Sequence, residues 1–343
     1  MNQKQEMNQE QTIPVENEKG LKDITTKRIV IYLGITFVLT YAVEIFLIAP
    51  MLGSADVNQA MVAQTLISAV MLIPTMAVIL TRLITKEGFK GRELMIALNL
   101  KGNKRYYALA WFGFALLITL GAVLYFLLFP KQFDGQLGYV MAMYEANAQA
   151  AGVEVDVTIT QLQQTMVLQT LMGVFLSPFV NVMNCFGEEW GWRGYLLPKM
   201  LKKFKVVPTL LISGVIWGLW HMPLTIMGHN YGNGYPGYPV TGILAMCVFC
   251  VVIGIILSYV TIKTRSCVPA ILGHGMINGF ATIGIYFTSL ETPYNVFLGP
   301  APTGLIGGTG FIVLAGYLLF KLYKEEKNTL QFEKQGDTIQ KES

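Results

Sequence analysis

Eight stretches of mostly apolar sequence divide the chain, each near the roughly 20 residues that a helix needs to cross a hydrocarbon core of about 30 Å. They cover approximately 29–52, 61–81, 106–129, 172–197, 206–227, 240–262, 267–287 and 303–320. Composition points the same way. Of 343 residues 53% are hydrophobic and only 13% are charged, and the mean hydropathy is +0.49, against about 25% charged in an average soluble domain. So few charges cannot clothe a water-facing surface, which excludes a soluble two-domain enzyme. The apolar fraction, with only four cysteines, also excludes disordered, collagen-like and disulfide-scaffold classes.

The cations test this division independently of hydropathy. In chain order the segments between spans carry 5, 0, 7, 1, 5, 0, 2, 0 and 5 of the 25 Lys and Arg residues, with Arg193 counted in the segment after it. Twenty-four fall on one side and Lys131 alone on the other, so the positive-inside rule assigns both termini to the cytoplasm. The expected fold class is all-α: a polytopic protein of the cell membrane, with about eight transmembrane helices in one domain at 29–322. Polar tails at 1–28 and 323–343 are expected to be disordered and cytoplasmic. The first tail also argues against a cleaved signal peptide, because 28 polar residues precede the first apolar run. The bilayer is an expected partner, and nucleic acid is not.

Three features stand apart from the spans. The external connection over 131–171 bears acidic charges (Asp134, Glu145, Glu154, Asp156), and its parts 139–151 and 158–169 are candidate interfacial helices in an ordered loop. The Gly-, Pro- and Tyr-rich loop from His229 reads as turns at the aromatic belt. Cys247 and Cys250 have the spacing of a redox or metal pair, but they sit inside an apolar run with no second pair and read as small helix positions.

Ionisable groups inside a membrane helix cost roughly 2.5–3.5 kcal/mol each on insertion scales. Glu44, Glu188, Glu189, Arg193 and His221 nevertheless lie within spans, and His274 follows with Asn278 in the seventh. Glu44 stands alone and reads as a helix-packing residue. Glu189 and Arg193 are four apart on one face and can neutralise each other, while Glu188 is turned by about 100° toward a different face. Trp217 and His221 are four apart, as are His274 and Asn278. At about 1.5 Å per residue, Glu188 lies roughly 16 Å from Lys199, His221 roughly 24 Å from Lys205 and His274 roughly 14 Å from Arg265. These depths agree on the middle of the membrane but not on one plane.

A carboxylate beside an imidazole in a restricted cavity can polarise water, the Glu as general base and the His as orienting group. A second His with an amide can donate to the oxyanion of a tetrahedral intermediate. That chemistry suits amide hydrolysis, and no covalent nucleophile is evident: Cys185 lacks a base in register and no Ser has a GxSxG context.

The residues Glu188-Glu189-Trp190-Gly191-Trp192-Arg193, Trp217-Gly218-Leu219-Trp220-His221 and His274-Gly275-Met276-Ile277-Asn278 resemble the motifs EExxxR, FxxxH and HxxxN of the CAAX prenyl protease and bacteriocin-processing family of intramembrane proteases. The resemblance covers a motif core at 172–287, and its one departure is Trp217 where Phe is usual. It implies a glutamate-type intramembrane endopeptidase acting on a membrane-bound, prenylated or otherwise lipidated peptide or protein. In it Glu188 and His221 activate water, His274 and Asn278 form the oxyanion hole, and Glu189 and Arg193 position the site. No cofactor is expected; zinc on Glu188, His221 and His274 is the runner-up. The rival functions are a non-catalytic scaffold or bacteriocin self-immunity protein, and a proton-coupled transporter, which also buries Glu, His and Arg between helices.

Overall fold

Four apolar runs become single long helices, and two that contain a proline become bent pairs. The computed structural model describes residues 15–54, 56–154 and 156–342. Among them the chain is helical, with one isolated antiparallel bridge between Phe133 and Thr288. Helix α1 (Val15–Val43) runs through a π-helical turn at Glu44–Ile48 to Leu52. Helices α2 (Val57–Val70) and α3 (Ile73–Ile84) meet at a 44° bend just before Pro74. Helix α4 (Lys104–Leu128) follows, then α5 (Gly138–Ala151). Helix α6 (Ile159–Val180), which contains Pro178, meets α7 (Val182–Leu201) at 51°. Proline removes a backbone donor and its ring pushes on the preceding turn, and both bends lie beside one. The rest are α8 (Val206–Trp220), α9 (Val240–Thr264), α10 (Val268–Phe280) and α11 (Thr309–Glu342).

Among the described residues four helices are long and apolar enough to cross a membrane, or up to six if each bent pair is one span. The two remaining apolar runs take other forms. The run at 206–227 is a 15-residue helix, a turn at His221 and a short helix at Met222–Ile226. The run at 303–320 becomes helical only from Thr309. The Gln-rich stretch at 158–169 is no separate interfacial helix; Thr158 caps α6, its hydroxyl accepting from the Gln161 N–H at 3.3 Å, and the stretch is the first half of that helix. The chain is helical from Val15 and up to Glu342, so 15–28 and 323–342 depart from the disorder expected of the tails. Extending an existing helix is far easier than nucleating one. Residues 1–14 and 343 lie outside the described residues.

Small residues set the closest approach. Helix α8 packs along α9 with Gly218 against Cys247, where an added Cβ would lie 2.5 Å from the Cys247 Cα, the close crossing that small residues permit in membranes. At Gly187 of α7, a Cβ would meet Leu72 Cα at 2.9 Å. The start of α7 therefore presses on the α2–α3 bend, and the two bends together form one wall of the interior.

One end of the bundle is closed by ion pairs. Glu87, in the loop after α3, accepts from Lys199 Nζ at 2.7 Å and from the Tyr195 hydroxyl at 2.8 Å, with Arg28 at 3.5 Å. Burial alone would raise the Glu87 carboxyl, but the hydrogen bond and charge of Lys199, the Tyr195 hydroxyl and the charge of Arg82 outweigh it and hold the group below its ordinary value. A carboxyl lowered on folding stabilises the protein above its unfolded pKa of about 4.3 and loses that contribution as pH falls through the folded value. Wild type is thus expected to be more heat-stable than Glu87→Gln at neutral pH, with the gap closing below about pH 4. Thermal unfolding in detergent across pH checks this, and parallel curves would refute it.

Candidate active site

Helix α7 carries Glu188 and Glu189 into a π-helical turn, Trp190–Leu196, in which Gly191 leaves room for Tyr32 and Pro74 and Gly194 for the Trp190 ring. Such turns recur at functional sites. Both carboxylates are buried, at 1% and 0% exposure, and Arg193 is at 4%. Arg193 donates to Glu189 Oε1 at 2.8 Å, and so does His274 Nδ1–H, also at 2.8 Å. Glu189 is thus the hinge between Arg193 on its own helix and His274 on α10. Its Oε2 has no hydrogen-bond partner among the described residues.

Glu188 is held differently. The Trp217 indole N–H donates to its Oε2 at 2.8 Å. Trp217 also carries the Arg193 guanidinium over its ring at 4.2 Å and packs edge-on against His221 and His274, with ring centres at 5.6 and 5.4 Å. Helix α8 ends at His221, because Pro223 follows and cannot extend it in register. The His221 N–H bonds to the Gly218 carbonyl, and His221 Nδ1 lies 2.9 Å from the Trp217 carbonyl. A carbonyl can only accept, so Nδ1 carries the proton and Nε2 keeps its lone pair.

These groups face one cavity of about 390 Å³. Glu188, His221, His274 and Asn278 all line it, together with Trp217 and Trp220. Glu189 and Arg193 do not; they stand behind His274 and Trp217. The depth counts set His221 apart from Glu188, yet Trp217 links the two, its side chain to the carboxylate and its carbonyl to the imidazole. Among the described residues the hydrogen-bond contacts of Asn278 Nδ2 are to sulfur, Cys185 at 3.8 Å and Met71 at 3.9 Å. Phe249 and Thr303 are shared with an adjoining apolar groove of about 220 Å³ between α9 and the chain before α11.

Among the lining residues that the sequence left unmarked are His229, Asn181 and Asn184, and the Trp217 indole was not marked as a donor. His229 is the chain's third histidine and comes from the loop after α8, where Gly228 at φ +95° turns the backbone. Glu44 is fully buried in its π-helical turn, with neither oxygen hydrogen-bonded among the described residues, and is absent from the cavity wall. Among the described residues no three of His, Cys, Asp and Glu come together as a metal site.

Residues 164–280 match the family model described as type II CAAX prenyl endopeptidase Rce1-like, and they contain all six motif residues. CAAX prenyl protease 2 of Methanococcus maripaludis is 29% identical over 101 residues. Over this region the chain is similar to the CAAX prenyl protease family. The matched part is 29% of this chain and 37% of the length of that curated relative. Its apolar helices make this a multi-pass membrane protein.

Proposed function

We propose that this chain is an intramembrane endopeptidase of glutamate type, hydrolysing a peptide bond of a membrane-associated or lipidated substrate. One observation carries the proposal: Glu188, His221, His274 and Asn278, from three helices, converge on one cavity in the matched region. Glu188 Oε2 is occupied by the indole N–H, so its Oε1 is free to take a proton from water. His221 Nε2 accepts from the same water and orients it. As water attacks the scissile carbonyl, the developing oxyanion receives hydrogen bonds from His274 Nε2–H and Asn278 Nδ2. His274 already donates Nδ1–H to Glu189, so donation from Nε2 requires the imidazolium form. Charge supports that form: Glu188 and Glu189 face a single guanidinium, and a protonated His274 balances the set. Glu188 then returns its proton to the leaving amine, and the C–N bond breaks.

The adjoining apolar groove supports a substrate with an apolar chain or side chain beside the cleaved bond. The membrane topology proposed with it is eight spans, both termini in the cytoplasm, in the cell membrane. Purified protein in detergent is expected to cut members of a panel of membrane peptides and lipopeptides, and to keep doing so in a strong chelator. Loss on chelation with recovery on adding zinc would move the reaction to the metal class. Failure to cut any panel member would count against the endopeptidase.

A further inference from the structure

The contacts sort the connecting segments onto two ends of the bundle. At one end Arg28, Glu87 and Lys199 pair, Asn99 donates to the Thr264 and Arg265 carbonyls at 3.0 and 3.3 Å, Lys263 pairs with Glu325, and Glu326 accepts from the Val206 N–H at 2.8 Å. These segments hold nearly all the cations. At the other end Ser289 N–H bonds to the Gln132 carbonyl at 2.9 Å, the Tyr231 hydroxyl donates to the Thr303 carbonyl at 3.4 Å, and Phe297 packs on Tyr231 and Tyr235 with ring centres at 5.6 and 5.1 Å. The segments 53–56, 129–158, 227–239 and 281–308 at this end hold six carboxylates and one cation, Lys131.

The cavity's upper wall comes from this second end: His229 and Asn230, Thr282, Thr303, and Gln64 and Ser68 in the part of α2 nearest it. His229, Asn230, Gln64, Ser68 and Thr282 are exposed. No lining residue comes from the cation-rich segments. Below Glu188 the way to that end is shut along α7 by Arg193 and by the buried rings of Tyr32, Trp192 and Tyr195, with Tyr32 centred 5.8 Å from Trp192 and 5.3 Å from Tyr195. Short loops rich in Lys and Arg stay in the cytoplasm. We infer that the cavity opens to the extracytoplasmic face, so that the polypeptide reaching Glu188 is an exported or outer-leaflet-anchored one rather than a cytoplasmic protein.

The substrate half of this inference rests on the endopeptidase reading; the side of access does not, and the test separates them. Thr282→Cys and Asn230→Cys, at the mouth, and Lys101→Cys, exposed at the cation-rich end, are each compared with wild type, whose own four cysteines set the background. The probe is a membrane-impermeant sulfonated maleimide on right-side-out and inside-out vesicles. Thr282→Cys and Asn230→Cys are expected to label in right-side-out vesicles and to lose labelling in inside-out ones until detergent is added, with Lys101→Cys the reverse. Mouth cysteines labelled only in inside-out vesicles overturn the inference. Using two mouth variants guards against one that fails to fold. A panel peptide added outside right-side-out vesicles of the wild type completes the test: its cleavage supports the whole inference. Correct labelling with no cleavage there, although detergent-solubilised protein cuts the same peptide, overturns the substrate assignment alone. Correct labelling with no cleavage in either setting overturns the endopeptidase reading and leaves the side of access standing.

Discussion

Glu188→Gln is expected to lower the rate of peptide cleavage by roughly 100- to 10,000-fold, the range over which a positioned general base contributes. The substitution is chosen for what it keeps. Glutamine has nearly the size of glutamate, and its carbonyl oxygen can still accept from the Trp217 indole that holds Oε2 at 2.8 Å. It cannot take a proton from water, so the loss should fall on kcat with KM little changed. Trp217→Phe grades the same site from the other side. It keeps an aromatic ring at that position but deletes the donor along with one ring of the indole; a hydrogen bond to a charged group is worth about 1.5 kcal/mol or more, so a loss of at least about tenfold is expected. A Glu188→Gln protein that elutes as a single folded species and cleaves at the wild-type rate would sink the assignment of the base.

Part of this site was legible because membrane burial makes polar residues conspicuous. Glu188, His221, His274 and Asn278 stand out of apolar runs, and helical spacing of four pairs His274 with Asn278 and Glu189 with Arg193. What spacing cannot give is which side chain crosses to which helix. The Glu189–His274 contact joins residues 85 apart and the Trp217–Glu188 contact residues 29 apart; both depend on how α7, α8 and α10 pack. Trp217 looked like a bulkier ring in place of Phe, yet its N–H is the one hydrogen-bond donor the described structure gives Glu188. His229 was hidden for a related reason, since its loop reaches the cavity only through the turn at Gly228 and the Tyr231–Thr303 contact. The spans show the same division. Their apolar content was visible, but the bends at 44° and 51° were not, because Pro74 and Pro178 read equally well as tolerated prolines inside straight membrane helices.

Arg193→Leu separates the structural part of the site from the chemical part. Removing one partner of a buried pair leaves an uncompensated charge, a loss of about 3–5 kcal/mol. Here Glu188 and Glu189, both buried, are left to share the single imidazolium of His274, with Glu189 Oε2 already unpartnered, so a clear fall in the thermal midpoint in detergent is expected. Adding Glu189→Gln to Arg193→Leu removes the excess negative charge, and stability should recover in part, since an uncharged pair no longer has to be desolvated. Activity should not recover with it. The introduced glutamine amide could still accept from His274 Nδ1–H, but without an anion beside it the imidazolium that donates to the oxyanion loses its support. A stable, inactive double variant beside an unstable single one is therefore the signature of Glu189 acting through His274. If Arg193→Leu melts with wild type, the pair contributes nothing to the fold; if the double variant regains both stability and cleavage, Glu189 has no part in keeping His274 charged.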